Sequence, residues 1–348
     1  MIKLLGPADG EVFSITSDIY KEFRKRDLAG EHKNDRSLEE SLNEYYDGVS
    51  YGSAPVTLRL SWKTTDADAE NKLKLRLKGE SCPSAAIATV SEVKKGEDGI
   101  FFAEVTNLLS GEEYVWSVDG SEERGFSTVR GEMRFINADG YANIRDAGGR
   151  LTVEGKRIRQ GLVYRGVGLD NYDDLHEGDR EIGKKVFRET LGIKCDIDLR
   201  SEAVGKLTES PLGKDVRFKL IPFDAYGATL NDVGRGVLRR VLELFADEEN
   251  YPIYYHCYAG ADRTGTIGAY LDAILGMSDA EIIFNYNVTS LSPNNERCWY
   301  DGDCKTFIEF LDETYPNHSI GELLMINLRL SGISEETIEK IREIMLEK

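Results

Sequence analysis

The chain has 348 residues, of which 41% are hydrophobic and 30% are charged, a composition typical of folded globular proteins. Its formal net charge of -18 at pH 7 argues against nonspecific binding to nucleic acid or to an anionic membrane, because long-range repulsion opposes both. The sequence has no apolar run of about 18 residues, so we expect no transmembrane segment. The start MIKLLGPADGEVF lacks an apolar signal core. We therefore expect a cytoplasmic protein, or an exported one whose signal peptide is absent from this sequence.

The first third of the chain predicts β-strands. Apolar residues alternate with polar ones in three stretches, Val56 to Trp62, Leu73 to Leu77 and Tyr114 to Val118. A turn just before Tyr114 resembles the tyrosine corner of fibronectin type III domains, with Ser110 where that family has a proline. The resemblance implies that residues 1–130 form an all-β, immunoglobulin- or fibronectin III-like sandwich that serves as a docking or spacer domain. Residues 1–55 would add a leading strand and a wrapping arm, and Trp62 and Trp116 would lie in the core.

A second domain is expected from residue 131 to residue 348, because single cores rarely grow past about 250–300 residues. Short apolar runs alternate there with amphipathic helices, which predicts an α/β fold with a central sheet flanked by helices. Four strands are predicted, at Leu162–Tyr164, Ile193–Leu199, Val216–Ile221 and Ile253–His256. Helical spacing predicts a helix over residues 230–248, and the part after Gly276 is predicted to be helical, with a capping box at Ser278 and Glu281.

One segment between a predicted strand and a predicted helix has the residues of an anion-binding loop. It reads His256-Cys257-Tyr258-Ala259-Gly260-Ala261-Asp262-Arg263-Thr264-Gly265. A strand, a tight loop and a helix N-terminus direct successive backbone N–H groups at one point, and together with the helix dipole they can bind an anion such as phosphate. The residues predicted to bind the phosphate are Tyr258, Ala259, Gly260, Ala261 and Thr264.

The spacing of Cys257 and Arg263 lets both side chains face the same phosphate. Positive potential from the loop favours the thiolate of Cys257, which is the nucleophilic form. Arg263 can hold two phosphoryl oxygens with its planar guanidinium. The Thr264 hydroxyl can donate to the sulfur when it becomes a leaving group, and His256 is expected to fix the loop by a buried hydrogen bond. A buried core thiol is the alternative for Cys257, but the strand-to-helix setting favours catalysis.

These residues resemble the signature of the protein tyrosine phosphatase superfamily. They are most similar to its bacterial tyrosine and dual-specificity branch, which includes lipid-phosphatase-like enzymes. Three more segments resemble that branch in order, namely Asn143–Gly149, Val163–Gly166 and Asp198–Ser201. The resemblance implies that a set of charged residues either lines the site or forms a buried ion-pair network that positions the loops. The set is Arg145, Asp146, Arg165, Asp198 and Arg200.

Ala261 departs from that branch, which often has a lysine there. The lysine could hold a second phosphate on an inositol ring, so its absence disfavours highly phosphorylated inositols as substrates. The branch carries an acid in the loop, which makes Asp262 the favoured proton donor to the leaving oxygen. Asp224, which follows a predicted strand 33 residues before Cys257, is the second candidate, because the superfamily commonly carries its acid at about that separation.

The prediction is therefore a cysteine-dependent phosphatase that hydrolyses phosphomonoesters through a cysteinyl-phosphate, with phosphotyrosine proteins as the favoured substrates. No metal or cofactor is expected. The alternatives are a phosphoinositide or inositol-phosphate phosphatase and a catalytically inactive phosphate-binding module. The five cysteines lack CxxC spacing, which argues against a disulfide framework and a zinc site, so Cys298 and Cys304 are expected to be two reduced thiols.

Overall fold

The computed structural model describes residues 2–26, 53–64, 72–79, 87–170, 178–203, 206–292 and 297–348. Within these residues the chain is a mixed α/β structure with three sheets. The strands are β1 (Ile2–Gly6), β2 (Glu11–Phe13), β3 (Leu58–Thr64), β4 (Leu73–Leu77), β5 (Thr89–Val90), β6 (Lys94–Lys95), β7 (Phe101–Thr106), β8 (Glu113–Val118), β9 (Arg124–Thr128), β10 (Arg145–Asp146), β11 (Val163–Gly166), β12 (Cys195–Asp198), β13 (Arg217–Leu220) and β14 (Ile253–His256).

The α-helices in the described part of the chain are α1 (Asp18–Phe23), α2 (Arg180–Lys185), α3 (Asp232–Glu243), α4 (Asp262–Leu275), α5 (Asp279–Asn287), α6 (Gly302–Thr314), α7 (Ile320–Leu330) and α8 (Glu335–Met345). A π-helical turn, Val186–Thr190, continues α2, and short 3-10 turns occupy Ser201–Ala203, Tyr226–Leu230, Leu244–Ala246, Glu248–Asn250 and Val288–Leu291. None of the described helices combines the length and the apolar composition that crossing a membrane requires.

Two sheets are formed by the N-terminal strands. One has the order β1-β3-β7-β5, with β6 also pairing with β7, and the other has the order β2-β9-β8-β4. Side chains from both sheets share one hydrophobic cluster, in which Trp62 and Trp116 are almost fully buried, as predicted. The Tyr114 hydroxyl accepts from the Leu109 N–H at 2.8 Å and donates to the Ile87 carbonyl at 3.0 Å. Most of the predicted wrapping arm, residues 27–52, lies outside the described residues.

The third sheet has the order β10-β11-β14-β12-β13 and places the loop of interest. Its last four strands are parallel, and their final residues lie in register, so all four end at the same edge. Because side chains alternate across a sheet, Ile253 and Tyr255 of β14 join a cluster with α3, α4 and α6 to α8. Tyr254 packs on the opposite face against Phe187 of the turn after α2.

The structure corrects two helix predictions. The helix expected over residues 230–248 is shorter, because α3 covers Asp232–Glu243 and is followed by a 3-10 turn. Ser278 caps α5 through the Glu281 N–H, but the Glu281 carboxylate is engaged by Arg24 instead of completing a capping box. The complete box is at the start of α7, between Ser319 and Glu322. A distant arginine can thus recruit a carboxylate that local spacing assigns to a cap.

The N-terminal sheets are joined to the helix-covered sheet by buried hydrogen bonds. The fully buried Arg134 donates to the Asn107 carbonyl at 2.7 and 3.1 Å and to Asp146 Oδ2 at 3.1 Å. The Gln160 amide accepts from the Ser110 N–H and donates to the Ser110 carbonyl at 2.7 and 2.9 Å. The junction is therefore polar and closely hydrogen-bonded.

Candidate active site

The segment His256–Gly265 lies where the four parallel strands end. Cys257 follows β14 directly and is 4% exposed, while Tyr258, at 44%, is exposed to solvent. Asp262 and Arg263 open α4 and are half-buried. Ala261 precedes the helix and makes no side-chain cap hydrogen bond. The first N–H groups of a helix can bind an anion.

Four consecutive carbonyl groups of this loop are hydrogen-bonded, one by the adjacent His256 ring and three by distant segments of the chain. Their donors are the His256 ring Nδ1 to Cys257 at 3.1 Å, the Gly168 N–H to Tyr258 at 3.0 Å, the Asn143 amide to Ala259 at 3.1 Å and Arg165 Nη2 to Gly260 at 3.0 Å. The C=O and N–H of a trans peptide point in opposite directions. The N–H groups of residues 258–261 therefore face away from these donors, toward the inside of the loop.

Gly260 is required by this geometry. Its φ is +69°, and a Cβ there would lie 2.5 Å from the carbonyl carbon and oxygen of Gly166. An L side chain would thus meet both backbone strain and a clash with β11. The loop can lie this close to β11 only because residue 260 has no side chain.

His256 is buried between two hydrogen-bond acceptors. Its Nε2 is 3.0 Å from Asp196 Oδ1, and its Nδ1 faces the Cys257 carbonyl. A carboxylate and a carbonyl can only accept, so donation from both ring nitrogens would require the protonated imidazolium. Burial alone would lower the pKa of His256, but the Asp196 carboxylate outweighs it and raises that pKa above its ordinary value.

A second buried ion pair lies beside the loop. Arg200 donates from Nε and Nη2 to the Asp198 carboxylate, with a shortest distance of 2.6 Å, and from Nη2 to Asp170 at 2.6 Å. Burial alone would lower the pKa of Arg200, but the two carboxylates raise it. Arg200 is 2% exposed and Asp198 is fully buried.

Arg145 and Asp146 are also buried. Arg145 donates to Asn143 Oδ1 at 2.6 Å and to the Asn285 carbonyl at 2.7 Å, so it orients the same Asn143 that holds the loop. Asp146 accepts from the Gly148 and Gly161 N–H groups and from Arg134 at the junction between the sheets. Burial raises the pKa of Asp146 even though Arg134 opposes the shift. Asp146 thus forms a buried ion pair with Arg134, whereas the Asn143 and Asn285 partners of Arg145 are neutral. Whether these residues line the site or position its loops stays a prediction.

The Thr264 hydroxyl is buried and has no hydrogen-bond partner among the described residues. An unpaired buried hydroxyl is uncommon and costs free energy. The bond from Thr264 to the Cys257 sulfur therefore stays a prediction for a later state of the site. Among the residues that the structure describes, no three His, Cys, Asp or Glu side chains are grouped so as to hold a metal ion.

Asp262 is held by two residues that the sequence analysis did not single out. Arg297 donates from Nε to Oδ1 at 2.8 Å and from Nη2 to Oδ2 at 3.0 Å, and Tyr226 donates to Oδ1 at 2.6 Å. The Tyr226 and Tyr286 hydroxyl oxygens are 2.5 Å apart. Burial alone would raise the pKa of Asp262, but the bonds from Arg297 and Tyr226 lower it below its usual range. The carboxylate is thus stabilised in its ionised form.

Asp224 lies four residues beyond the end of β13, on the same edge of the sheet, and is exposed. It borders a shallow groove formed with Pro222 and the first turn of α3, including Val233. Neither Arg297 nor Tyr226 had a local signal in the sequence, because they reach Asp262 from 35 and 36 residues away.

A sequence model described as the tyrosine phosphatase family matches residues 136–347. The chain belongs to the tyrosine phosphatase family. Within this family, it is 27% identical over 200 residues to a Cupriavidus necator protein named as a tyrosine-protein phosphatase, a match that covers 49% of this chain and 64% of that protein. A tyrosine-protein phosphatase of Nostoc commune is 26% identical over 121 residues, or 29% of this chain and 41% of that protein. The chain therefore matches less than two thirds of the length of either relative.

Two solved structures are also similar to part of this chain. The core catalytic domain of a PP-IP phosphatase from S. cerevisiae, in complex with citrate, is 17% identical with a TM-score of 0.30, over 52% of this chain and 92% of that one. A second structure of that catalytic core is 14% identical with a TM-score of 0.27, over 53% of this chain and 89% of that one.

Proposed function

We propose that this member of the tyrosine phosphatase family is a phosphomonoester hydrolase that works through Cys257. The observation that carries the proposal is the set of four loop carbonyls bound by His256 and by three distant segments, which turns the N–H groups of residues 258–261 inward. Cys257 and Arg263 stand at the two ends of this ring of donors. Such a ring stabilises the three equatorial oxygens of a transferring phosphoryl group.

In the proposed mechanism the Cys257 thiolate attacks phosphorus in line, an S–P bond forms and the P–O bond to the leaving group breaks. Arg263 and the loop N–H groups hold the phosphoryl oxygens, and a carboxylic acid donates a proton to the departing oxygen. Water then attacks phosphorus, the S–P bond breaks, and the thiolate and inorganic phosphate are released. The unpaired Thr264 hydroxyl is available to donate to the sulfur as it leaves.

The proton donor is proposed to be Asp262 or Asp224. The ion pair with Arg297 and the lowered pKa of Asp262 favour the carboxylate form, which cannot donate. Asp262 can therefore act as the acid only in a state in which this pair has opened. Asp224 is exposed to solvent at the same edge of the sheet.

We propose phosphotyrosine proteins or peptides as the substrates, in line with the names of the two curated relatives. One observation keeps a phosphoinositide or inositol-phosphate phosphatase as the second candidate. Ala261 provides no cation. The Arg297 side chain, which is 35% exposed, places a guanidinium beside Asp262, the residue after Ala261. An inactive phosphate-binding module is less well supported, because Cys257, Arg263 and Thr264 are all present.

We also propose that residues 1–130 form a separate fibronectin III-like sandwich that serves as a docking domain for the catalytic domain of residues 131–348. The shared core of the two N-terminal sheets and the bond from the Leu109 N–H to the Tyr114 hydroxyl support the resemblance.

The test is phosphate release from phosphotyrosine, phosphoserine and phosphoinositide substrates by the wild type and Cys257→Ser. We expect release from the phosphotyrosine peptide to fall at least about 1,000-fold in Cys257→Ser. Cys195→Ser is the matched control, because Cys195 is a buried thiol in β12 whose pKa burial raises to about 12. Release that survives in Cys257→Ser, or no release by the wild type from any substrate, would contradict the proposal.

A further inference from the structure

Arg165 of β11 lies directly behind the phosphate loop. Its side chain is almost fully buried, and Nη2 donates to the Gly260 carbonyl at 3.0 Å. A Cβ on Gly268 would lie 2.5 Å from Nη1, so the guanidinium packs against the second turn of α4. Nε and Nη1 have no hydrogen-bond partner among the described residues. A buried guanidinium with two unpaired nitrogens is costly unless something else on the protein offsets its charge.

The neighbouring charges do not offset it. Arg165 and Arg150 both lie close to Arg145, and the nearby Asp272 accepts from Arg150 at 2.5 and 3.0 Å. The partners of Arg145 are neutral amides and a hydroxyl. Burial lowers the pKa of Arg145 well below its ordinary value, and the nearby Arg165 charge lowers it further. Glu281 also acts on Arg150 but is paired with Arg24. Among the described residues, Arg145 and Arg165 thus form no ion pair with a carboxylate.

The proposed reaction puts negative charge on the other side of the loop. A bound phosphate dianion and the Cys257 thiolate would both lie on the inner face, beyond the Gly260 carbonyl. Buried charges interact more strongly than exposed ones, because less water screens them. An excess of buried positive charge behind the loop would therefore favour both anions.

We propose that Arg165 is a positioning residue of the phosphate loop, whose guanidinium fixes the Gly260 carbonyl, turns the Ala261 N–H inward and supplies buried positive charge that favours the thiolate and the bound phosphate. This inference rests on the proposed function. Arg165 touches neither the substrate nor the sulfur. It acts through the backbone of the loop and through its charge.

The experiment compares Arg165→Gln, which keeps a donor but loses the charge, with Arg165→Lys, which keeps the charge. Two quantities are measured: the midpoint pH for alkylation of Cys257 by iodoacetamide, followed by mass spectrometry, and the dissociation constant of inorganic phosphate. We expect Arg165→Gln to move the midpoint up by about one pH unit and to weaken phosphate binding about tenfold. Arg165→Lys should recover most of the shift in midpoint.

Arg134→Gln is the matched control, because Arg134 is an equally buried arginine that is paired with Asp146 at the junction of the sheets. It should lower the melting temperature without moving the alkylation midpoint. An unchanged midpoint and an unchanged phosphate affinity in Arg165→Gln would overturn the inference. If Arg165→Gln does not fold, the test rests on Arg165→Lys. The altered bond to the Gly260 carbonyl should still weaken phosphate binding in this variant. A phosphate affinity of Arg165→Lys equal to that of the wild type would then overturn the inference.

Failure of the proposed function gives a different pattern. In that case Cys257→Ser would still release phosphate, or the wild type would release none. If the wild type is active, Cys257→Ser is inactive and Arg165→Gln behaves like the wild type, only the role of Arg165 is rejected.

Discussion

Single residues at this site are held by partners that set their charge. His256 has an acceptor on each ring nitrogen, and Asp262 has two donors on its carboxylate. The first arrangement favours a proton and the second removes one, so the two pKa values shift in opposite directions. Both residues should therefore contribute to the pH dependence of the protein's stability and activity.

For His256, the raised pKa makes a prediction about stability. A group whose pKa is raised by folding stabilises the protein fully below its unfolded pKa of about 6.5, and the contribution is lost as the pH rises through the folded pKa. The free energy of unfolding of the wild type should therefore exceed that of His256→Asn most at pH 6. The difference should shrink by up to about 1.4 kcal/mol per pH unit above pH 7. Urea titrations at pH 6, 7, 8 and 9 measure it, and a difference that grows with pH would reject a buried imidazolium.

For the proton donor, Asp262→Asn and Asp224→Asn can be told apart by the leaving group. Loss of the true acid should slow hydrolysis of an alkyl phosphate about 100-fold, because a poor leaving group needs the proton. Hydrolysis of p-nitrophenyl phosphate should change far less. The ratio of the two rates for each variant identifies the acid, and a variant that slows both substrates equally has lost something other than a proton donor.

At the scale of elements, the site is made by one strand, one loop and one helix that β11 and the segment around Asn143 support from behind. The sheet brings these parts together, since the parallel strands end in register at one edge. The loop and β11 approach each other closely at Gly260. The Gly166 carbonyl lies where a Cβ on residue 260 would be.

We expect Gly260→Ala to destroy the phosphate site. The positive φ would cost about 1–2 kcal/mol in an L residue, and the clash with Gly166 would displace the loop further. Gly236→Ala in α3 is the control, because a Cβ there meets nothing within 4 Å and should stabilise the helix by about 0.5–1 kcal/mol. Phosphate affinity and the melting temperature of both variants check this. A Gly260→Ala variant that binds phosphate like the wild type would show that the loop tolerates a side chain.

At the scale of the whole molecule, the N-terminal sheets and the helix-covered sheet share buried polar contacts. Arg134 links the Asn107 carbonyl to Asp146 without exposure to solvent. Tyr20 and Phe23 of α1, both buried, pack against Phe284 of α5. Separation of the two parts would leave buried charged and apolar groups without partners, which is costly.

We therefore expect the two parts to unfold in one transition. In Trp299→Phe the remaining tryptophans, Trp62 and Trp116, both lie in the N-terminal core, so fluorescence reports that part. Every described helix of nine residues or more follows residue 231, so circular dichroism at 222 nm reports the other part. The two urea midpoints should coincide, and Arg134→Gln should separate them or lower both. Distinct midpoints in Trp299→Phe itself would reject the coupling.

The sequence alone located β3, β4, β8 and β11 to β14 and the centre of the loop. The predicted strands agree with the observed ones to within about two residues at each end, because alternation along the chain is a local property. The order from β14 through Cys257 and Arg263 into α4 was likewise predicted from neighbouring residues. The chemical roles of Cys257, Arg263, Thr264, Asp262 and Asp224 stay predictions.

Only the tertiary structure decided what surrounds that loop. Asn143, Gly168 and Arg165 bind its carbonyls from about 90 to 116 residues away, and Arg297 pairs with Asp262 across 35 residues. Such contacts depend on which strands lie side by side and on where each turn leaves the sheet. A periodic pattern in the sequence specifies neither the strand order nor the positions of the turns. The loop could therefore be predicted from the sequence, because its residues are consecutive. The charges and hydrogen bonds that hold the loop could not be predicted, because folding brings them together from distant segments.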